Sequence, residues 1–233
     1  MRLRNTFILV ILFSIAMALL ESSVVVYIRE LLYPEGFGFP LVEMKPMLAI
    51  TEISREAATI IMLVMVGILA GRTFIQRFAW FIFCFAVWDI FYYVFLKLLI
   101  GWPETLLDWD VLFLIPVTWT GPVISPLIVC IYMLYLSVLL LIQSNRGIEI
   151  IIRNYEYVLL LTGSVILIIA FTWDYSTYIL EHFSFSEIWN LPDSKPLFEV
   201  ATSYIPRKFN WGLFITGSIP IIYSLVLISN RRK

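Results

Sequence analysis

IQRFAWFIFCFAVWDIFYYVFLKLLI, residues Ile75–Ile100, decides the fold. The run is apolar almost throughout and exceeds the about 20 residues that cross a bilayer's hydrocarbon core. It is continuous and lacks period-two alternation, so it reads as a helix and not as a strand. Asp89 stands near its middle. A charge at that depth costs at least ~2.5–3.5 kcal/mol and calls for a partner, a proton, a cavity or a ligand.

Five more segments of this kind flank it: Phe7–Ile28, Met47–Ala70, Val123–Ile142, Tyr157–Tyr175 and Phe209–Ser229. Of the 233 residues, 61% are hydrophobic and 14% charged, and the mean hydropathy is +0.92. A soluble domain is apolar only to about 45–50%. The expected fold is all-α, a six-helix transmembrane bundle forming one polytopic domain over residues 1–233. Basic Met1–Asn5 and the sequence Ala16-Met17-Ala18 resemble a signal peptide. The apolar run continues to Ile28, too long for a signal core, so it reads as the first span.

Loop charges orient the bundle, because Lys and Arg concentrate on the cytoplasmic side. With the N-terminus inside, the cytoplasmic segments hold nine Lys and Arg against two acids, Glu149 and Glu156. The external segments hold six against ten. Both termini are therefore expected in the cytoplasm, and the protein in the cell (inner) membrane. Helix two then enters from outside, with Glu52 roughly 8 Å and Glu56 roughly 13 Å below its start at 1.5 Å per residue. Glu21 and Asp174 fall near outer helix ends and Asp89 at mid-depth. All the intramembrane acids thus fall in the middle or outer half of the bilayer.

Between helices three and four, Val111–Val117 is too short to span, and Pro116, Pro122 and Pro126 forbid one straight helix. This stretch is expected to be a short interfacial or re-entrant segment, walling a pocket or simply anchored by Trp102, Trp109 and Trp119. The external loop 176–208 carries Tyr178, Phe183, Phe185, Trp189, Phe198 and Tyr204. Part of it is expected to lie as a surface helix. Gly217 and Pro220 predict a bend in helix six.

The densest polar constellation is Glu52-Ile53-Ser54-Arg55-Glu56. Glu52 and Glu56 share a helix face one turn apart and suit chelation of a divalent cation, a shared proton or a substrate cation. Arg55 can hold one of them ionised, or the three can simply tie helices together. Asp89, Tyr93 and Lys97 form a second stripe at i, i+4 and i+8. Three of the five aspartates follow a tryptophan: Trp88-Asp89, Trp109-Asp110 and Trp173-Asp174. Indole rings that keep water from an acid suit it to carry protons. The candidate polar site is therefore Glu21, Glu52, Arg55, Glu56, Asp89, Tyr93, Asp110 and Asp174, with Glu52, Glu56 and Asp89 as ligands if a divalent metal binds.

Other chemistry is absent. There is no Walker motif, GxSxG, HExxH or CxxC, and no basic patch interleaved with aromatics, so nucleic acid is not an expected partner. Cys84 and Cys130 lie in apolar runs and read as small buried hydrophobes. His182 is the single histidine, so a His-based metal site is not expected, and neither haem nor flavin is an expected cofactor.

Arg55-Glu56-Ala57-Ala58-Thr59, Trp88-Asp89-Ile90-Phe91-Tyr92-Tyr93, Gly101-Trp102-Pro103 and Trp109–Val117 together resemble a family of uncharacterised bacterial integral membrane proteins. The resemblance covers about the middle third of the chain. It implies a prokaryotic cell membrane and assigns no functional residue.

Three functions remain open. The chain is a carrier or binding protein for a proton, metal ion or small cationic solute. Alternatively it is a membrane-embedded enzyme acting on a lipid or lipid-linked substrate through Glu52, Glu56 and Asp89. Or it is an accessory subunit of a membrane complex. Expected partners are membrane lipid and either a second copy or a partner membrane subunit.

Overall fold

The computed structural model describes residues 3–115, 117–146, 152–184 and 200–231. Outside these lie Pro116, most of the expected surface helix with Phe185, Trp189 and Phe198, and the loop acid Glu149. Among these residues six helices are long and apolar enough to cross a membrane, and the chain is a multi-pass integral membrane protein. They are α1 (Leu3–Leu32), α2 (Pro46–Ala70), α3 (Phe74–Ile100), α4 (Ile124–Asn145), α5 (Asn154–His182) and α6 (Trp211–Ser229). The ends of α1 and α5 overrun the apolar runs, because polar residues continue a helix once it has left the hydrocarbon.

Local sequence sets the helix ends. Pro46 opens α2, where its missing N–H costs nothing. The Thr73 hydroxyl accepts the Gln76 N–H at the start of α3. Gly101 closes α3 at φ 72°, a left-handed conformation suited to glycine, and donates its N–H to the Lys97 carbonyl. The Asn210 side chain accepts the Leu213 N–H at the start of α6. α6 is one continuous helix through Pro220.

α3 is the axis of the larger group. In its most apolar window 56% of residues are buried, against 22–39% in the other five helices. α1, α2 and α4 all lie along it, while α1 and α2 barely touch each other. α1 meets α3 through a face of small residues, Ser14, Ala18 and Ser22. The Ser14 hydroxyl lies 3.1 Å from Cys84 Sγ, and that of Ser22 lies 3.1 Å from the Tyr92 carbonyl. α5 and α6 form a separate close pair. A Cβ on Gly163 would stand 2.6 Å from the Gly217 carbonyl oxygen, so both glycines are needed for this approach.

The segment between α3 and α4 is a two-stranded antiparallel hairpin, β1 (Trp109–Phe113) and β2 (Trp119–Pro122). The expected short interfacial or re-entrant segment is thus in part a hairpin, whose strands are too short to show alternation in the sequence. Asp110 pairs with Gly121 and Val111 with Thr120, and the register shifts before Phe113 meets Trp119. β-branched and aromatic residues suit this pairing, and each strand satisfies the other's backbone where no helix does. Its two tryptophans, both half-buried, pack on neighbouring segments: Trp119 stacks on Phe171 of α5, and Trp109 meets Phe209.

Candidate functional site

The C-terminal half of α1, the N-terminal half of α2, the C-terminal half of α3 and the hairpin share one end of the bundle. Between them lies a cavity of about 130 Å³. α1 contributes Glu21 and Arg29, and α2 contributes Glu52, Arg55 and Glu56. α3 contributes Trp88, Asp89, Tyr92 and Tyr93, and β1 contributes Asp110 and Phe113. The α1–α2 loop closes over it with Tyr33 and Phe37. Room exceeds the about 10–15 Å³ that one water needs, so the hollow is hydrated when its walls are polar.

Arg55 sits between two helices. Its Nε donates to Glu52 Oε2 at 2.9 Å along the same helix, while Nη1 pairs with Glu21 of α1. The spacing allowed Arg55 to hold one of the two glutamates, and that one is Glu52. The partner of Arg55 beyond Glu52 is Glu21, and Glu56 turns away. Both Glu56 oxygens accept the Leu114 N–H, at 3.0 and 3.1 Å. Leu114 follows β1 directly, so a carboxylate from α2 satisfies backbone that the hairpin ladder leaves free.

Asp89 is partly buried, and among the described residues its one hydrogen bond comes from the Cys130 thiol of α4 at 3.2 Å. That weak donor does little to compensate a carboxylate. Cys130 is buried, as expected, yet it also serves as a polar partner. Tyr93 shares the cavity wall, whereas Lys97 leaves the stripe. Its Nζ donates to the Gly101 and Pro103 carbonyls at 2.9 and 2.7 Å.

Asp110 pairs with Arg29 at 3.1 Å, both almost wholly buried. Phe37 and Trp102 cover the guanidinium with ring centroids 4.1 and 3.9 Å away. Burial pushes the Asp110 carboxyl up to about 6, against the opposing pull of Arg29, the Val111 N–H and the Tyr93 hydroxyl.

Seven of the eight candidate residues therefore line one cavity: Glu21, Glu52, Arg55, Glu56, Asp89, Tyr93 and Asp110. Asp174 does not. It lies on α5, where it accepts the Tyr204 hydroxyl at 2.7 Å and the Arg207 and Lys208 N–H groups at 2.9 and 3.4 Å. Sequence reasoning counted Arg29 only as a loop charge. The signal for it was the face of α1, where Ser14, Ala18 and Ser22 continue to Arg29. Trp88 was noted only as the neighbour of Asp89, and Tyr33 and Phe37 carried no signal.

Among the described residues, no three His, Cys, Asp or Glu side chains are grouped to hold a metal ion. Compared with family models, curated proteins and solved structures, the chain finds no match, so the geometry of this cavity carries the functional reading.

Proposed function

We propose that this membrane protein binds, and carries, a proton or a small cationic solute in the acidic cavity. One observation supports the reading above all: five carboxylates face two guanidiniums in one hollow. Arg29 answers Asp110, and Arg55 answers Glu21 and Glu52 together. Among the described residues, neither Glu56 nor Asp89 forms an ion pair; they meet the Leu114 N–H and the Cys130 thiol. Such a surplus attracts positive charge, and a low-dielectric wall strengthens the attraction. The lack of a three-ligand group among the described residues favours a proton or an organic cation over a metal ion.

The enzyme reading has less support. Glu52, Glu56 and Asp89 each engage a different partner, Arg55, Leu114 and Cys130, and not one shared proton. The subunit reading calls for a charged stripe on the exterior, whereas Glu21, Glu52 and Arg55 are only 11–20% exposed. Membrane lipid, a second copy or another membrane subunit remain the proposed partners. The charge asymmetry of the loops supports cytoplasmic termini, with the cavity at the outer end. A reporter joined after Lys233 is expected to be active in the cytoplasm, and activity outside would invert the orientation.

Calorimetry on the protein in lipid nanodiscs, with ethylammonium as probe in weak buffer, tests the binding. Uptake of the cation with release of protons is expected, weakened about tenfold or more by Asp89→Asn. Equal affinity and proton release in wild type and variant would remove the basis for the site.

A further inference from the structure

We propose that one acyl chain of a bilayer phospholipid lies between the two halves of the molecule, in a site separate from the acidic cavity. A second cavity, of about 320 Å³, runs between the α3–α4 pair and the α5–α6 pair. Among the described residues, none lines both cavities. The halves leave this gap because α5 reaches the larger group mainly through β2, and α6 reaches it through α4. Trp119 of β2, stacked on Phe171, stands at the hairpin end of the gap.

The described residues on its wall carry no charge, and only Ser164 and Tyr132 bear hydroxyls. A hollow of this kind stays dry, and a polar or cationic solute finds no partner in it. Both halves are built of membrane-spanning helices, so the medium beside the gap is hydrocarbon. Unfilled space forfeits the dispersion contacts of its lining, and a hydrocarbon chain restores them.

Shape narrows the occupant. α5 faces the gap with Leu160, Ser164, Leu167 and Phe171, one stripe at helical steps of four, three and four. At 1.5 Å per residue the stripe runs roughly 16 Å along the helix. About 320 Å³ over that length leaves a mean cross-section of about 20 Å², the girth of one extended hydrocarbon chain. A helix about 10–12 Å across does not fit, which excludes a span from a second copy. A cavity of about 150 Å³ takes the six carbons of benzene, so this one takes roughly a dozen, the greater part of an acyl chain.

Native mass spectrometry tests this by counting lipids on the full chain moved from phosphatidylglycerol nanodiscs into detergent. One phosphatidylglycerol per chain is expected to survive activation that strips the remaining lipid. Ser164→Phe and Ile168→Trp each put a ring into the gap. Each is expected to retain the lipid at least about tenfold less than wild type. Both are expected to melt at or above lipid-stripped wild type, since the ring fills the space that the chain leaves. A wild type that retains no lipid would overturn the proposal, and so would variants that retain as much as wild type. If both variants melt below stripped wild type, the gap is not open in the folded chain and the proposal falls as well. Farnesol added to the disc and retained in place of phosphatidylglycerol would make the occupant an isoprenoid and overturn the phospholipid.

Discussion

Asp89 and Asp174 both follow a tryptophan inside an apolar helix, yet the two halves of the molecule use them in opposite ways. Asp174 accepts three hydrogen bonds from the segment that returns over the end of α5. The other acids of α5 are equally settled. Glu181 takes both Nη atoms of Arg207, and buried Glu156 takes Arg231 and the Arg153 N–H. In the α5–α6 pair, acids are staples between chain segments. In the α1–α4 group, Asp89 has a single thiol and Glu56 a single backbone N–H. The indoles differ too: Trp173 is 45% exposed, while Trp88 is buried on the cavity wall. An acid in a membrane protein marks function when its own fold leaves it short of partners, not merely when it lies deep.

The contrast can be broken by removing what holds each half. Arg29→Met leaves Asp110 buried without its cation, and a loss of ~3–5 kcal/mol is expected in unfolding titrations. Gly163→Ala forces a Cβ against the Gly217 carbonyl and is expected to cost ~1–3 kcal/mol, with ethylammonium binding unchanged. If Gly163→Ala also abolished binding, the two halves would not be separable in function.

The paired aspartates sharpen the comparison. Asp174→Asn loses charge-assisted bonds and is expected to cost ~1–3 kcal/mol without altering cation affinity. Asp89→Asn, with one weak partner to lose, is expected to change stability by under ~1 kcal/mol while lowering cation affinity. Measured unfolding and binding for the two variants should therefore be mirror images. Two variants with the same profile would end the distinction.

Within the hairpin and its approach, Asp110 and Asp108 titrate in opposite senses. Asp110 is raised to about 6, so its folded form binds a proton more tightly than the unfolded chain. Its contribution to stability is full below the ordinary value of 3.8 and is lost as pH rises to about 6. Asp108 is lowered, because the upward push of burial, the largest single effect, is outweighed by the sum of bonds from the Thr105 hydroxyl and N–H, the Glu104 N–H and the Lys97 charge. Its contribution is present above 3.8 and is lost as pH falls through its lowered value. Asp110→Asn is expected to flatten the fall in melting temperature between pH 4 and 6, and Asp108→Asn the fall on the acid side. The Asp108 effect should be a few tenths of a kcal/mol at most, since the group is exposed.

Much of the fold was legible in the sequence, and less of the site. The six spans followed from apolar runs whose length alone matches a bilayer. Glu52, Glu56 and Asp89 declared themselves as charges out of place. The hairpin was hidden because Trp109–Phe113 and Trp119–Pro122 are too short to carry a clear alternating pattern. Glu156, assigned to a cytoplasmic loop, is wholly buried because it caps α5 and meets Arg231, a contact 75 residues away in sequence.

What the amino-acid order determined by itself is the membrane bundle, since partition into lipid depends on composition summed along about 20 residues and needs no knowledge of neighbours. Only the tertiary structure decided that Arg55 reaches Glu21, that Glu56 serves Leu114, and that Asp174 stands apart. Those choices depend on how each helix is rotated about its axis. Close contacts at Ser14, Ala18 and Gly163 set that rotation, and a contact has two sides that a single segment cannot supply.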